Sequence, residues 1–308
     1  MGLTQAKVLV TGATGFIGKR LTAALLEEGI SVRCLMRRAD AVIPVGAERI
    51  IGDLLEISTL DEAFRGIETA YYLVHAMAES RAGFEQRDRK AAENFVAVAE
   101  KWGVKRVIYL GGLGEENDSL SEHLASRLEV AKILKRGAFQ TTYLRAAVII
   151  GAGGASFEMI RALVERLPVM ITPRWVSTRC QPIAVNDVIA YLVGCLKDER
   201  STGKTYEIGG PEIMSYREMM ERFAEIEKKF IMIIPVPVLT PKLSSYWVAL
   251  FTPVKPSISM PLIEGLGNEV ICRDEEIRKI LPIPLTSFNE AAKIALAEET
   301  VDIHPSTI

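Results

Sequence analysis

Cysteine and histidine are scarce in this chain of 308 residues, which holds four cysteines and three histidines. The sequence contains no Cys-x-x-Cys pair and no cluster of cysteine and histidine at metal-ligand spacing. This scarcity argues against a zinc site and against a disulfide framework, and it favours a reducing cytoplasm as the location.

A large charge excess and a long apolar run are missing as well. The formal net charge of −2 gives no reason to expect nucleic acid as a partner. The most apolar region, 230–262, is interrupted by two lysines and six prolines. It therefore lacks the run of about 20 apolar residues that a membrane-spanning helix needs. We also expect no secretory signal, because the first residues lead directly into a predicted strand.

What the chain does contain is an alternation of short apolar runs and helical patterns. Apolar runs of this kind, without polar alternation, predict parallel strands covered on both faces. We therefore predict an α/β fold, a Rossmann-type doubly wound parallel sheet. The predicted strands are 8–10, 32–36, 49–51, 69–74, 106–110 and 141–150, and the helices between them are 19–28, 60–64, 84–102 and 121–135.

The alternation of predicted strands and helices changes after residue 150. Helices are predicted at 157–166, 186–196 and 216–228, and strands at 181–185 and 205–208. We predict that residues 1–150 form a dinucleotide-binding domain, to which 181–210 adds a strand and a helix. Residues 151–180 and 211–308 would then form a smaller substrate-binding region, because these folds place ligands outside the carboxyl ends of the strands.

A glycine-rich turn follows the first strand, where residues 8–18 read VLVTGATGFIG. Gly12 permits a tight turn, Gly15 lets backbone approach a pyrophosphate, and Gly18 allows close packing of helix on strand. The helix that follows offers free N–H groups to the phosphates. The strand, turn and helix come in the required order, so we expect a dinucleotide at this turn. The remaining predicted contacts here are Thr14, Phe16 and Ile17.

The second strand ends in Met36 followed by Arg37 and Arg38. An NAD enzyme usually has an acidic residue in this neighbourhood for the ribose 2′-hydroxyl, whereas guanidinium groups suit a 2′-phosphate. The sequence therefore favours NADP over NAD. Asp53 and Leu54, after the third strand, are the candidates for contact with the adenine.

Several segments together resemble the short-chain dehydrogenase/reductase superfamily, in its extended and atypical branches. These branches include nucleoside-diphosphate-sugar epimerase-like and NmrA-like proteins, and the resemblance covers nearly the whole chain. It rests on TGATGFIG at 11–18, DL at 53–54, NF at 94–95, GVKRVIY at 103–109, LR at 144–145, PIAVNDV at 182–188 and YEIGGP at 206–211.

The chain departs from the catalytic set that the resemblance implies, which is a serine after the fifth strand and a Tyr-x-x-x-Lys on the next helix. The strand ends in Gly111 and Gly112, and the helix has His123 and Arg127 in place of the tyrosine and the lysine. Asp88 stands where the family often has asparagine. His123 could act as the proton donor, with Arg127 holding the ribose or lowering the pKa of His123, or it could simply begin a helix.

His75 follows the fourth strand, near where the nicotinamide half of the cofactor would pass, and is a weaker candidate for the site. In the related extended enzymes a later neighbourhood faces the substrate. There the arginines could bind a carboxylate or phosphate, or could form ion pairs between domains. The residues of this neighbourhood are Arg145, Arg174, Trp175, Arg179 and Gln181.

The apolar region 230–262 would suit a lipid-like, aromatic or quinone-like substrate, or packing in a dimer. Our first hypothesis is an NADP(H)-dependent reductase of an apolar carbonyl or conjugated alkene. The second is an NmrA-like regulator that senses NADP(H) without turnover. The third is a nucleotide-sugar epimerase or dehydratase, which the missing tyrosine and lysine disfavour. The expected partners are a small molecule and, in a homodimer, a second copy.

Overall fold

The computed structural model describes residues 7–75, 83–114, 122–236, 252–254, 259–260, 263 and 265–303. Within these ranges, the side chains of residues 7, 122–123, 174–175 and 299–303 lie outside the description. The strands are β1 Lys7–Thr11, β2 Val32–Met36, β3 Glu48–Ile51, β4 Ile67–Tyr72, β5 Arg106–Gly112, β6 Gln140–Ala146, β7 Ile149–Ile150, β8 Val169–Thr172, β9 Arg179–Cys180, β10 Ile183–Ala184, β11 Thr205–Ile208, β12 Met214–Ser215 and β13 Met232–Pro235. The helices of at least one turn are α1 Phe16–Glu27, α2 Asp61–Phe64, α3 Phe84–Lys101, α4 Glu122–Leu134, α5 Ala155–Arg166, α6 Val185–Lys197, α7 Tyr216–Ile226, α8 Glu276–Ile280 and α9 Phe288–Ile303.

The main sheet has seven parallel strands in the order β3-β2-β1-β4-β5-β6-β11. The predicted Rossmann-type sheet is thereby confirmed. The strand order reverses between β1 and β4, and in doubly wound folds a ligand binds at that switch point, beyond the carboxyl ends of the strands. The end of β1 leads into the glycine-rich turn, so the fold places that turn at the switch point.

Helices cover both faces of the sheet, which explains why its strands read as continuous apolar runs. All five residues of β2 are buried. On one face, α1 and α6 pack together through residues that include Leu21, Leu25 and Leu192. On the other face, α3 and α4 pack on the sheet with Phe95 and Leu134 in the core.

The predicted strand at 141–150 is wrong in its extent. β6 ends at Ala146, whose carbonyl accepts a hydrogen bond from the backbone of Leu113, and β7 pairs with β10 outside the main sheet. The apolar run continues through the break because both pieces are partly or fully buried, so hydrophobicity alone does not mark where the chain leaves the sheet.

The later part of the chain builds another apolar core from α5, α7 and α9, with Phe157, Phe223 and Ala292 among its buried residues. The two-stranded sheet of β8 and β13 lies over it. The division into a dinucleotide-binding domain and a substrate-binding region stays a prediction. Among the described residues, no helix is both long and apolar enough to cross a membrane.

Candidate functional site

The turn between β1 and α1 is built on two glycines that no other residue could replace without movement. Gly12 has a φ of +70°, and a β-carbon there would lie 2.6 Å from the carbonyl oxygen of Leu73. A β-carbon on Gly18 would lie 2.1 Å from the carbonyl oxygen of Gly12. Both distances are far inside van der Waals contact, so the two glycines hold helix, turn and neighbouring strand close together.

Gly15 is different, because its backbone conformation suits any residue and, among the residues that the structure describes, a β-carbon there would have one near neighbour, the Gly12 oxygen at 3.3 Å. Gly15 is also the residue before α1; in the described part of the chain no side chain caps this helix, and the first turn of α1 holds no acidic residue. The first N–H groups of α1 are thus left for another acceptor. A glycine that the protein's own packing hardly requires fits a place where a pyrophosphate lies against the backbone.

The other predicted contacts of the turn differ in how far their side chains are exposed to solvent. Thr14 is exposed beside the helix start, whereas Phe16 and Ile17 are half-buried. Ile17 packs against the core between α1 and α6, and the ring of Phe16 lies where a β-carbon on Gly154 would meet it. Phe16 and Ile17 would therefore act through their backbone N–H groups, since their side chains serve packing.

Arg37 and Arg38 are exposed just beyond the end of β2, as the NADP interpretation requires. Arg38 donates two hydrogen bonds to Asp40, from Nε to Oδ1 at 2.9 Å and from Nη2 to Oδ2 at 2.5 Å. The pKa of Asp40 is lowered by this hydrogen bonding to Arg38. A 2′-phosphate would have to compete with this pair for Arg38.

Asp53 and Leu54 form a turn after β3 that α3 fixes in place. The Asp53 Oδ1 atom accepts a hydrogen bond from the Leu55 backbone at 2.9 Å. The Leu54 carbonyl accepts one from Asn94 Nδ2 at 2.7 Å, and the Leu54 side chain is buried. Asp53 is only partly buried and keeps a second carboxylate oxygen, so it remains a candidate for the adenine amino group.

A buried network of polar side chains lies at the end of β4. His75 Nδ1 is 2.7 Å from Asp88 Oδ2, and Ser126 Oγ donates to the same oxygen at 3.0 Å. Burial, and then the positive charge of Arg127, lowers the pKa of His75 to about 4, although the hydrogen bond with Asp88 acts in the opposite direction. His75 is therefore neutral at physiological pH.

Sequence reasoning placed His75 near the cofactor but missed its connection to Asp88 and Ser126. A signal was present, because Asp88 lies in the stripe of α3 that otherwise holds Phe84, Ala92 and Phe95. A carboxylate at a position of helical period with buried apolar residues predicts a partner for that carboxylate. The partner itself, His75, comes from another element and could not be read from spacing.

The places of the family's catalytic serine and tyrosine are occupied differently. A β-carbon on Gly112 would lie 2.9 Å from the side chain of Leu124 on α4. The side chain of His123 lies outside the described part of the chain, although its backbone belongs to α4. Arg127 donates from Nη1 to the Leu110 carbonyl at 3.3 Å, and Tyr109 donates to the Arg127 carbonyl at 3.1 Å. Through these two hydrogen bonds Arg127 links α4 to β5.

Of the predicted substrate-binding residues, two are engaged within the protein. Arg145 Nη1 lies 3.3 Å from Glu207 Oε1 on the neighbouring strand, and Arg145 also donates to the Gly114 carbonyl. The buried Gln181 amide donates to the Gly210 carbonyl at 2.7 Å and accepts from the Cys272 backbone at 3.0 Å. The Arg145 ion pair joins two strands of the main sheet, and the predicted substrate contacts of Arg145 and Gln181 stay predictions.

Arg179 is exposed on β9. The side chains of Arg174 and Trp175, in a short 3-10 helix, lie outside the description. Their predicted role stays a prediction.

The apolar region predicted at 230–262 is described in part. The outer face of β8 and β13 leaves large apolar side chains 41–53% exposed, and Phe230 is 74% exposed. Met232 pairs with Val169, and Ile234 with Ile171, so four apolar side chains lie side by side on that face. This arrangement is an apolar surface in the later part of the chain.

Comparison with known proteins agrees with the motifs. The model of the NmrA-like family matches residues 4–239. Among curated proteins, the chain is 26% identical over 74% of its length to the mitochondrial NADH dehydrogenase [ubiquinone] 1 alpha subcomplex subunit 9 of Arabidopsis thaliana. It is 30% identical over 60% of its length to ceramide reductase of Caulobacter vibrioides. The matches span 60% and 59% of these two relatives, respectively, less than two thirds of each.

A solved structure of similar fold is that of the triphenylmethane reductase of Citrobacter sp., complexed with NADP(H). It superposes with a TM-score of 0.74 at 19% identity, covering 94% of this chain and 99% of that one. At this identity the likeness describes the fold.

Proposed function

The chain belongs to the NmrA-like family, and on this premise we propose that it is an NADP(H)-dependent reductase of an apolar carbonyl or conjugated alkene. The observation that carries the proposal is the turn at 12–18. Gly12 and Gly18 are required by packing, whereas a β-carbon on Gly15, beside the start of α1, would meet the Gly12 oxygen only at 3.3 Å. This is the steric and electrostatic arrangement that a pyrophosphate needs.

NADP is favoured over NAD by the two arginines beyond β2. Both guanidinium groups are exposed on the side of the sheet end where the adenosine ribose lies in dinucleotide folds. The ion pair of Arg38 with Asp40 is fully exposed, and such pairs contribute little to stability. A dianionic phosphate is a stronger partner for a guanidinium than a single solvated carboxylate, so it would displace or share the pair.

A reductase is favoured by the names of two similar proteins, a ceramide reductase and a triphenylmethane reductase complexed with NADP(H). The exposed apolar face of β8 and β13 supports an apolar substrate here. When bound, NADPH would supply the hydride from C4 of its nicotinamide.

The chain's own residues would bind the cofactor, exclude water and deliver a proton to the substrate. His123 is the proposed donor, because it takes the place of the family's tyrosine on α4. Arg127 would orient the site through α4, since its side chain and backbone link this helix to β5. A cytoplasmic location and a homodimer are further proposals, which the four free cysteines and the apolar face respectively favour.

A second candidate function is an NADP(H) sensor without turnover. It is favoured by the packing at the end of β5, where Leu124 occupies the space next to Gly112 in which a catalytic serine side chain would lie. A nucleotide-sugar epimerase is disfavoured, because His123 and Arg127 replace the tyrosine and lysine that such enzymes use.

The test is a pair of measurements on the wild-type protein. NADPH and NADH are titrated by fluorescence, and NADPH oxidation is then followed with long-chain ketones, aryl ketones and enones. We expect NADPH to bind at least tenfold more tightly than NADH, and one substrate class to be turned over. Equal affinities would overturn the NADP assignment. Tight NADPH binding with no turnover in any class would favour the sensor.

A further inference from the structure

Arg20 lies one turn into α1, the helix that begins directly after Gly15. Its guanidinium stacks on the ring of Phe16, 4.8 Å from the ring centroid, and its Nη1 atom donates to the Phe16 carbonyl at 3.3 Å. Its Nη2 atom donates to the Ala152 carbonyl at 3.0 Å and to Glu298 Oε2 at 2.7 Å. One side chain thus joins the first turn of α1 to residues 132 and 278 positions away along the chain.

Both distant contacts of Arg20 belong to the later part of the chain. Ala152 lies in the turn between β7 and α5, and Glu298 lies on α9. Residues of α5 and α9 share the later apolar core. The turn also touches α1 directly, because a β-carbon on Gly154 would lie 2.9 Å from Phe16 Cζ, and one on Gly151 would lie 3.2 Å from it. The Phe16 ring therefore fills a space that these two glycines leave open.

The Arg20 contacts serve local position more than overall stability. The side chains of Arg20 and Glu298 are 27% and 37% exposed, and exposed ion pairs contribute little to the free energy of unfolding. A guanidinium is a planar group with donors in a fixed arrangement, so it holds its acceptors at set positions. The acceptors here include the Phe16 carbonyl, at the start of the helix that would bind the pyrophosphate. Backbone N–H groups that are ordered before binding lose less conformational entropy when the ligand arrives.

We propose that Arg20 and Glu298 are positioning residues for the cofactor. They hold the start of α1 against the turn between β7 and α5, so that cofactor binding and the packing of α9 strengthen each other. The inference rests on the proposed function for its ligand, a dinucleotide at the glycine-rich turn, and it adds a role for α9, near the other end of the chain. Because a coupling free energy is reciprocal, the effect must be measurable at both ends.

Charge alone predicts the opposite sign for a change at Glu298. Removing an anion should strengthen the binding of an anionic cofactor if only electrostatics mattered. Positioning predicts that Glu298→Ala weakens NADPH binding about threefold to tenfold, because Arg20 loses an acceptor. Glu298→Gln removes the same charge but keeps an oxygen that accepts from Arg20, so its NADPH affinity should stay within about twofold of the wild-type value.

A matched control is available at the other end of α1. Glu28 Oε2 lies 2.6 Å from Lys197 Nζ and joins that end to α6. Glu28→Ala removes a carboxylate from an ion pair of the same helix and should leave NADPH affinity within about twofold of the wild-type value. Arg20→Gln should weaken NADPH binding, and adding Glu298→Ala to it should cause no further loss, since both residues act through one contact. All affinities are measured by fluorescence titration of the full chain, with folding checked by circular dichroism.

The reciprocal effect is measured by hydrogen exchange of the backbone amides of α9. Saturating NADPH should slow their exchange in the wild type, and should slow it less in Glu298→Ala. An ion pair with a structural role only would change the melting temperature and leave both the NADPH affinity and this protection unchanged. If Glu298→Ala binds NADPH as tightly as the wild type, or if NADPH binds the wild type without slowing exchange in α9, the inference is wrong and the proposed function stands. The exchange measurement on the wild type decides the question even if the variant does not fold. A wild type that binds neither NADPH nor NADH would overturn the proposed function together with this inference.

Discussion

Gly18 faces the carbonyl oxygen of Gly12 at a distance that leaves no room for a side chain, since a β-carbon there would lie 2.1 Å from that oxygen. The same oxygen would be 3.3 Å from a β-carbon on Gly15, a distance that a small local movement can relieve. The two glycines of one motif therefore have different reasons to be glycine. Gly18 is required by the protein's packing, whereas our proposal for Gly15 is that a bound dinucleotide needs the space beside it.

This difference predicts that a valine at each position affects a different property, NADPH binding at Gly15 and stability at Gly18. Gly15→Val should fold with a melting temperature near that of the wild type and lose NADPH binding, because the added methyl groups enter the pyrophosphate space. Gly18→Val should be destabilised by about 1–3 kcal/mol or more, as overpacked cores are. Thermal denaturation and NADPH titration of both variants test this. Normal NADPH binding by a folded Gly15→Val would reduce the turn to a structural role.

The exposed pair of Arg38 with Asp40 leads to a prediction about cofactor choice. Arg38→Ala should weaken NADPH binding by roughly tenfold or more, since it removes a charged hydrogen bond to phosphate, and should leave NADH binding unchanged. Asp40→Asn should strengthen NADPH binding, because Arg38 would no longer be shared. Both effects should shrink in high salt. An Asp40→Asn variant that binds NADPH more weakly would mean that the carboxylate itself contacts the cofactor.

Much of the sheet could be predicted from the sequence because its signals are local. β2 and β11 have the predicted bounds. Elements that depend on distant partners were missed. β8 and β13 are more than 50 residues apart and pair in parallel, yet each shows exposed apolar residues that resemble an ordinary irregular segment. Their pairing is decided by the fold of the later part and not by their own pattern.

The site shows the same limit. The turn at 12–18 could be predicted because its glycines, strand and helix are contiguous. The network of His75, Asp88 and Ser126 could not, because it joins residues 13 and 38 positions apart along the chain. The residue types at 145 and 181 suggested substrate contacts, which stay predictions, but they did not indicate the internal partners that tertiary structure gives them.

Because Arg145 and Gln181 have internal partners, we predict that they contribute more to stability than the exposed Arg179. Arg145→Ala would leave Glu207, which is 12% exposed, without its guanidinium, and should cost about 3 kcal/mol. Gln181→Ala would leave the backbone N–H of Cys272 without its acceptor, whereas the Gly210 carbonyl would keep its hydrogen bond from Arg278, and the cost should be about 1–3 kcal/mol. Arg179→Ala should change stability by less than about 0.5 kcal/mol, since Arg179 is exposed. Urea denaturation of the three variants checks this ranking, and an Arg145→Ala variant as stable as Arg179→Ala would contradict it.

The low pKa of His75 predicts how stability depends on pH. The folded ring has a pKa of about 4, against 6.5 for an unperturbed histidine. Between these values the unfolded chain binds a proton that the folded chain does not, so unfolding becomes easier as pH falls. The stabilisation is complete above pH 6.5 and is lost progressively toward pH 4, with a slope of up to about 1.4 kcal/mol per pH unit.

Urea midpoints at pH 7, 6 and 5 would measure this slope. His75→Gln should lower the pH dependence relative to the wild type, because glutamine does not titrate. Equal slopes for the wild type and His75→Gln would mean that His75 titrates normally in the folded protein.

The final prediction concerns the proton that a reductase must supply to its substrate. Gly111 and Gly112 offer no hydroxyl at the end of β5, and His75, with its proton directed to Asp88, is a poor acid. His123 lies one helical turn before Arg127 on α4, at the family's place for the donor.

With a responsive substrate, His123→Ala should lower turnover by about two to four decades, the usual contribution of one general acid. Wild-type turnover should fall as pH rises past the pKa of His123, whereas His123→Ala should lose that pH dependence. His75→Gln serves as the matched control and should lower turnover far less than His123→Ala, because the neutral ring of His75 is a poor acid. If His123→Ala lowers turnover by less than about threefold, the proton comes from solvent or from another side chain, and His123 only begins a helix.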